Sequence, residues 1–181
     1  MQQLQAAVAL HNQGELDQAE AIYRQILAVD ASNFYALRFL GCVCRQKGLY
    51  QEGVFFLSRA VSLSPCDSDC WYNLGNVYMD ACLYKRAVEC FEEGLRYRNE
   101  FPEALINLGY SLFELGRFEE SMHVLERGLL IKDSCAQGWM NLGNTFNALE
   151  KSGNAIACFR RSIKEDCKFM GAYLNLGIVL R

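Results

Sequence analysis

Hydrophobic residues recur along this chain with a short helical period. Trp71, Leu74, Gly75 and Tyr78 stand at i, i+3, i+4 and i+7, which places them on one stripe of a helix. A second stripe with the same spacing follows shortly after the first. Because each stripe has the length of a short helix, this stretch is predicted to form a helix, a turn and a second helix.

A longer period of 34 residues is superposed on the helical one, because steps of 34 from Gly75 reach a glycine preceded by leucine at four further positions. These glycines are Gly41, Gly75, Gly109, Gly143 and Gly177. The predicted repeats are 1–33, 34–67, 68–101, 102–135 and 136–169, with a partial repeat at 170–181. One helical hairpin cannot bury its apolar stripe alone, so the repeats are predicted to stack as a single all-α solenoid over residues 1–181.

Two kinds of glycine are predicted to have structural roles. The glycine of the first helix should let the second helix approach closely, with a large side chain filling the space. Gly14, Gly48 and Gly116 mark the turn between the helices, where glycine reaches the required backbone angles. Cys82 and Glu150 occupy this position in the third and fifth repeats, so those turns must accommodate a side chain.

The repeated pattern resembles the tetratricopeptide repeat over the whole chain. In the third repeat it is carried by Trp71, Leu74, Gly75, Tyr78, Ala87 and Phe91. Departures from the family pattern are Ala7, Gly53, Asn99 and Ser121. The resemblance implies a right-handed superhelix whose concave face is lined by the first helix of each repeat. It also implies a scaffold or peptide receptor, and not a catalyst.

The resemblance places a peptide-binding groove on the first helices. The groove positions are Tyr72, Asn76, Met79, Ile106, Tyr110, Phe113, Met140 and Asn144. Asparagine also recurs directly before the repeated leucine, as Asn73, Asn107, Asn141 and Asn175. This row resembles the asparagine ladder in the repeat region of O-linked N-acetylglucosamine transferases, where a carboxamide would bond the backbone of an extended peptide. The alternative is that each amide satisfies a polar group nearby.

A second family arrangement, the clamp that holds a C-terminal carboxylate, is not expected. It needs basic residues facing the groove in successive repeats, and Arg38 and Arg45 are the only candidates. Tyr72, Ile106 and Met140 stand where the other cations would be. The groove is therefore predicted to be apolar and lined with amides, which suits an extended segment or an amphipathic helix.

Composition narrows the function further. The net charge is −3 with 22% charged residues and no run of one sign, which argues against nucleic-acid or membrane partners. The N-terminus lacks the features of a signal peptide, and no segment is long and apolar enough to cross a bilayer. Nine cysteines without metal spacing are predicted to be buried, reduced thiols, which indicates a cytoplasmic protein. No metal or other cofactor is predicted.

No catalytic constellation is apparent, and the chain is not predicted to be an enzyme. Its two histidines, His11 and His123, are interpreted as solvated side chains. The predicted function is a scaffold that binds a peptide or helical segment of a protein partner. The alternative is the substrate-recruitment arm of a larger enzyme, such as a glycosyltransferase. Because the last helix exposes apolar residues, the chain is expected to be a fragment or to self-associate end to end.

Overall fold

The computed structural model describes residues 2–181, so Met1, the first residue of the predicted repeat 1–33, lies outside the described residues. Within residues 2–181 the chain forms eleven α-helices and no strand, which confirms the all-α prediction. The helices are α1 (Gln2–Asn12), α2 (Leu16–Val29), α3 (Phe34–Gln46), α4 (Tyr50–Leu63), α5 (Ser68–Asp80), α6 (Tyr84–Tyr97), α7 (Pro102–Glu114), α8 (Phe118–Ile131), α9 (Ala136–Ala148), α10 (Ser152–Glu165) and α11 (Met170–Val179).

The helix starts follow the predicted 34-residue period. After α1, the first helix of each repeat begins at the predicted repeat boundary, at Phe34, Ser68, Pro102, Ala136 and Met170. The second helices keep the same step and begin at Leu16, Tyr50, Tyr84, Phe118 and Ser152. The helix starts therefore recur every 34 residues, and the division into repeats stays a prediction.

The helices form two compact modules, which are described separately. The N-terminal module ends at Tyr97 and contains α1–α6, and the C-terminal module begins at Arg98 and contains α7–α11. Within each module every helix packs on the next one along the chain, and successive first helices are also in contact. Each module is thus a stack of helical hairpins, the packing of an α-solenoid. The single continuous array over residues 1–181 stays a prediction.

The repeated glycine of the first helix lies where the second helix comes closest. A Cβ built on Gly75 would lie 2.6 Å from Cε1 of Phe91, and one built on Gly143 would lie 2.6 Å from Cε1 of Phe159. The equivalent glycines of α3 and α7 each receive a leucine side chain in the same way. The predicted close approach is confirmed at these four glycines, where any larger residue would overlap its neighbour.

The turns between paired helices use left-handed backbone angles in every complete repeat. Gly14, Gly48 and Gly116 have φ of +83°, +74° and +73°, as predicted for this position. Cys82 and Glu150 adopt φ of 59° there, so these turns keep the same geometry with a side chain present. Each such residue costs roughly 1–2 kcal/mol relative to right-handed angles, which the packing of the hairpin must offset.

Buried hydroxyl groups join three helices of the C-terminal module. Ser121 on α8, one of the departures from the family pattern, donates from Oγ to the carbonyl oxygen of Gly109 on α7 at 2.7 Å. Its Oγ also lies 3.1 Å from Oγ1 of Thr145 on α9, which donates to the carbonyl oxygen of Asn141 at 2.9 Å. Since both buried hydroxyls have partners, the serine is accommodated at the position of a smaller alanine.

Candidate peptide-binding face

The first helices of the C-terminal module lie side by side, with α7 against α9 and α9 against α11. We call the surface that these three helices share the first-helix face. The predicted site residues that are half-buried on these helices are Asn107, Tyr110, Phe113, Met140, Asn144 and Asn175. Half-buried side chains are fixed by their neighbours and still present atoms to a partner, so this face combines apolar and carboxamide groups at a solvent boundary.

The carboxamides of this face have partners within the module. Asn175 on α11 donates from Nδ2 to Oδ1 of Asn144 on α9 at 2.7 Å, which bridges two adjacent first helices. Asn141 is only 4% exposed, and its Oδ1 accepts a hydrogen bond from Nε2 of Gln137 at 2.8 Å. These contacts agree with the interpretation that the repeated asparagines satisfy local polar groups. The ladder that would bond a peptide backbone stays a prediction.

Ile106 was predicted to face the groove, and the structure places it in the hydrophobic core. The side chain is 5% exposed and belongs to the buried cluster of the C-terminal module. Its Cγ1 would lie 3.3 Å from a Cβ on Gly128, and its Cδ1 would lie 3.1 Å from a Cβ on Gly138. The isoleucine thus fills the space where α8 and α9 converge on α7, and it is not available to a partner.

The N-terminal module holds the remaining predicted positions on α5. Tyr72, Asn73 and Met79 are half-buried, whereas Asn76 is 4% exposed. The ring centroids of Tyr72 and Phe91 are 6.1 Å apart, so the tyrosine packs against the core of the α5–α6 hairpin. The buried amide of Asn76 offers little surface to a partner, and the prediction of a direct contact at this residue is corrected accordingly.

The two arginines considered for a carboxylate clamp are both engaged inside the N-terminal module. Nη1 of Arg38 lies 3.9 Å from Oδ2 of Asp67, and its guanidinium carbon lies 5.0 Å from the ring centroid of Phe39. Nη1 of Arg45 lies 3.4 Å from Oδ2 of Asp80. Because a carboxylate of this chain already neutralises each guanidinium, neither presents an unpaired positive charge to a terminal carboxylate.

The last helix, α11, has an open apolar side. No heavy atom lies within 4 Å of a Cβ built on Gly177, in contrast to the glycines that receive a large side chain. Leu174 and Ile178 are 63% and 61% exposed, as expected for a helix without a covering neighbour. Met170 and Tyr173 on the same helix are also exposed.

The cysteines are free thiols in three environments, and the prediction of general burial is wrong for some of them. The buried thiols are Cys44, Cys70, Cys90 and Cys158. The exposed thiols are Cys66, Cys82 and Cys167, and all lie in segments that connect helices. Burial raises the pKa of the Cys158 thiol to about 12, so this group is a neutral thiol and a poor nucleophile.

The histidines were interpreted as solvated, which holds for His123 only. His123 is exposed, whereas His11 is half-buried with its ring centroid 6.4 Å from that of Tyr23. Burial lowers the pKa of His11, and a hydrogen bond with Gln46 acts in the opposite direction. Among residues 2–181 no group of three or more His, Cys, Asp or Glu side chains could hold a metal ion.

None of the helices described in residues 2–181 has the length and apolar character that crossing a membrane would require.

The fold defines a class of helical-hairpin repeat proteins, and comparison with protein families identifies the family. Models of the tetratricopeptide repeat match residues 4–67 and 72–134, and a further model of the same repeat matches residues 136–166. The chain belongs to the tetratricopeptide repeat family.

A relative with a similar sequence is the TPR repeat-containing protein MJ1428 of Methanocaldococcus jannaschii, 30% identical over 78 residues. The match covers 43% of this chain and only 14% of the relative, so the chain corresponds to a small part of that protein.

Solved structures show the same fold at low sequence identity. The structure of YrrB, described as a TPR protein with an unusual peptide-binding site, is 23% identical with a TM-score of 0.79, and covers 95% of this chain and 89% of its own. The Cut9–Hcn1 hetero-tetramer of the APC/C contains a chain that is 20% identical with a TM-score of 0.85, covering 97% of this chain and 35% of its own.

Proposed function

We propose that this chain is a protein-interaction scaffold whose first-helix face in the C-terminal module binds an extended peptide or helical segment of a protein partner. Proteins of this repeat family generally mediate protein–protein interactions. YrrB, which shares the fold, is described as having a peptide-binding site.

The observation that carries the proposal is the composition of the first-helix face. Tyr110, Phe113 and Met140 supply half-buried apolar surface. The bonded pair Asn144 and Asn175 joins the adjacent helices α9 and α11 and keeps lone pairs and N–H groups that a peptide backbone can bond. A face with both apolar side chains and amides can hold a peptide by its side chains and its main chain.

A recruitment arm of a larger enzyme would use this same face. The two functions differ in what is joined to the chain and not in the binding step, so one binding experiment addresses both.

A random-peptide phage library selected on the chain tests the proposal. Asn144→Ala should weaken the selected peptides about tenfold, since a hydrogen bond lost at a binding site costs roughly 1–1.5 kcal/mol. Asn12→Ala is a matched control, because this exposed asparagine at the end of α1 lies in the N-terminal module and not on the first-helix face. It should leave the affinity within about twofold, as expected for a residue outside the contact.

Peptides that are weakened by Asn12→Ala and not by Asn144→Ala would contradict the proposal, because they would bind the N-terminal module. Thermal unfolding of both variants must accompany the titrations, since Asn144→Ala also removes the bond to Asn175.

End-to-end self-association through α11 is a second proposal, favoured by the open position above Gly177. Sedimentation equilibrium should then show a concentration-dependent dimer that Ile178→Asp abolishes. Leu63→Asp, at a 50% exposed leucine of α4, is the control and should leave the dimer intact. A monomer at every concentration would refute this second proposal.

A further inference from the structure

Each module contains a groove between two second helices and the first helix that packs between them. In the C-terminal module the groove is a cavity of about 650 Å³ between α8, α9 and α10, and we call it the outer groove. A smaller cavity of about 450 Å³ lies between α4, α5 and α6. Trp139 lines the first cavity and Trp71 lines the second. Because these tryptophans are two repeats apart in sequence, the two grooves are equivalent.

The floors of the two grooves are built alike. Trp139, Leu142 and Cys158 line the outer groove, and Trp71 and Leu74 line its counterpart at the equivalent positions. The tryptophans and leucines among these residues have the helical spacing of core residues. They do pack, but one side of each tryptophan also faces the cavity.

Trp139, on the floor of the outer groove, is fixed by contacts with Asp133 and Arg161. Nε1 of Trp139 donates to the carbonyl oxygen of Asp133 at 2.6 Å. The guanidinium of Arg161 lies 5.8 Å from the tryptophan ring centroid and is bonded to the carboxylate of Asp133 at 3.0 Å. An apolar surface fixed in this way does not need to reorganise when a ligand arrives.

The rims of the two grooves differ in charge. In the N-terminal module, Arg86 and Glu89 form an ion pair of 3.2 Å at the rim. The equivalent residues of the outer groove are Asn154 and Ala157, so the ion pair is replaced by neutral side chains.

A leucine extends the apolar surface of the outer groove into solvent. Leu130 lines the cavity and is 88% exposed, and it stands where the N-terminal module has Ser62. Ile131 beside it is 47% exposed. Exposed leucine and isoleucine next to a rigid apolar cavity are typical of surfaces that a partner covers.

The charged residues that line the outer groove are both acidic. Asp133 is bonded to Arg161, whereas Glu126 is exposed and forms no ion pair with any residue in 2–181. The rim therefore offers one uncompensated negative charge beside an apolar cavity, and a basic group next to an apolar one complements both features.

We propose that the outer groove binds a short peptide segment of a protein partner, in which a large apolar side chain is flanked by lysine or arginine. The apolar side chain lies on Trp139 and Leu142 inside the cavity, Leu130 covers it from the rim, and the basic residue faces Glu126. The site is separate from the first-helix face, so the chain can hold two segments at once.

The two tryptophans of the chain report on the two grooves independently. We would incorporate 5-fluorotryptophan and titrate the whole chain with the peptide GSKLFKSG while recording 19F NMR. The Trp139 signal is expected to shift and saturate, while the Trp71 signal stays in place. Two control peptides are GSKSSKSG, without apolar residues, and GSELFESG, with reversed charge. Their affinities, measured from the Trp139 signal, should be at least about tenfold weaker.

Substitutions that place residues of the N-terminal groove at the rim of the outer groove test whether the rim contributes to binding. Leu130→Ser gives the outer groove the serine of the N-terminal module, and the pair Asn154→Arg with Ala157→Glu gives it the ion pair. Each change should weaken GSKLFKSG at least about tenfold. All three sites are exposed, so folding is preserved, and circular dichroism checks this. Glu126→Gln should weaken GSKLFKSG about threefold and remove its advantage over GSELFESG.

The proposal is overturned by any of four results: no shift of Trp139, equal shifts of both tryptophans, equal binding of GSKSSKSG, or unchanged binding after Leu130→Ser and after the pair Asn154→Arg with Ala157→Glu. A Trp139 shift that grows with protein concentration alone would also overturn it, because a second copy of the chain would then be the occupant.

Discussion

Gly143 and Gly177 are the same residue at the same repeat position in one module, yet their surroundings are opposite. The side chain of Phe159 on α10 presses against Gly143, so that an added Cβ would lie 2.6 Å from its ring. Nothing lies within 4 Å of a Cβ on Gly177. The glycine is therefore not required by the first helix itself. It is required where a second helix packs against it, as α10 does against α9.

The largest expected effect on stability comes from removing the side chain of Phe159, which packs against Gly143. Phe159→Ala should destabilise the C-terminal module by about 3–5 kcal/mol, because a fully buried ring leaves a cavity behind. Urea unfolding followed by the 19F signal of Trp139 measures this, since that residue reports on the C-terminal module.

Ile178→Ala is the matched truncation on the open helix. The residue is 61% exposed, so the expected loss is within about 0.5–1 kcal/mol. Equal losses for the two truncations would show that α11 is covered in solution, and the comparison between closed and open positions would then fail.

The glycine of the closed position should give the next effect in size. Gly143→Ala is expected to cost about 1–3 kcal/mol, because a methyl group overlaps the Phe159 ring and forces the helices apart. The same unfolding experiment measures it.

A double-mutant cycle isolates the cause of that cost. In the Phe159→Ala background the added methyl group has room, so Gly143→Ala should cost much less there than in the native chain. Additive losses would mean that the substitution acts through the backbone of α9 and not through the ring.

A smaller effect is expected from the buried hydroxyl of Thr145. The equivalent residue of α11, 34 positions later, is Val179. Thr145→Val therefore gives α9 the side chain that α11 has at this repeat position. The variant loses the contact with Ser121 and the bond to the carbonyl oxygen of Asn141. We expect a loss of about 1 kcal/mol in urea unfolding.

Ser121→Ala in the Thr145→Val background is the control. With its partner already removed, the serine keeps only its bond to Gly109, so the second substitution should add less than it does in the native chain. A full additive loss would show that the two hydroxyls act independently.

The helix bounds were predictable because they recur at a fixed interval along the chain. Every later first helix begins a multiple of 34 residues after Phe34, where α3 begins, and the turn glycines mark where second helices follow. Pairing of glycine with a large side chain followed from the same register. Local sequence was sufficient because each hairpin is made of residues that are close along the chain.

The site was less predictable because it depends on which sides of a helix other helices cover. Ile106 lies next to Leu105 on α7, and the apolar stripe is wider there because both α8 and α9 pack on it. The outer groove was missed for the opposite reason: Trp139 has the spacing of a core residue, and only the structure shows that one side faces a cavity. The exposure of Leu130 likewise has no signal in the helical period.

The smallest effect, and the only gain, is expected at the open glycine. Gly177→Ala should stabilise the C-terminal module by about 0.5–1 kcal/mol, because alanine restricts the unfolded chain and favours the helix, while nothing lies in the way of its methyl group. The 19F unfolding experiment on Trp139 would detect the change as a higher urea midpoint at constant slope. A loss instead, especially one that grows with protein concentration, would mean that another helix occupies this position in solution. The alanine would then be excluded for the same reason as at Gly143, and the open position would be a site of association.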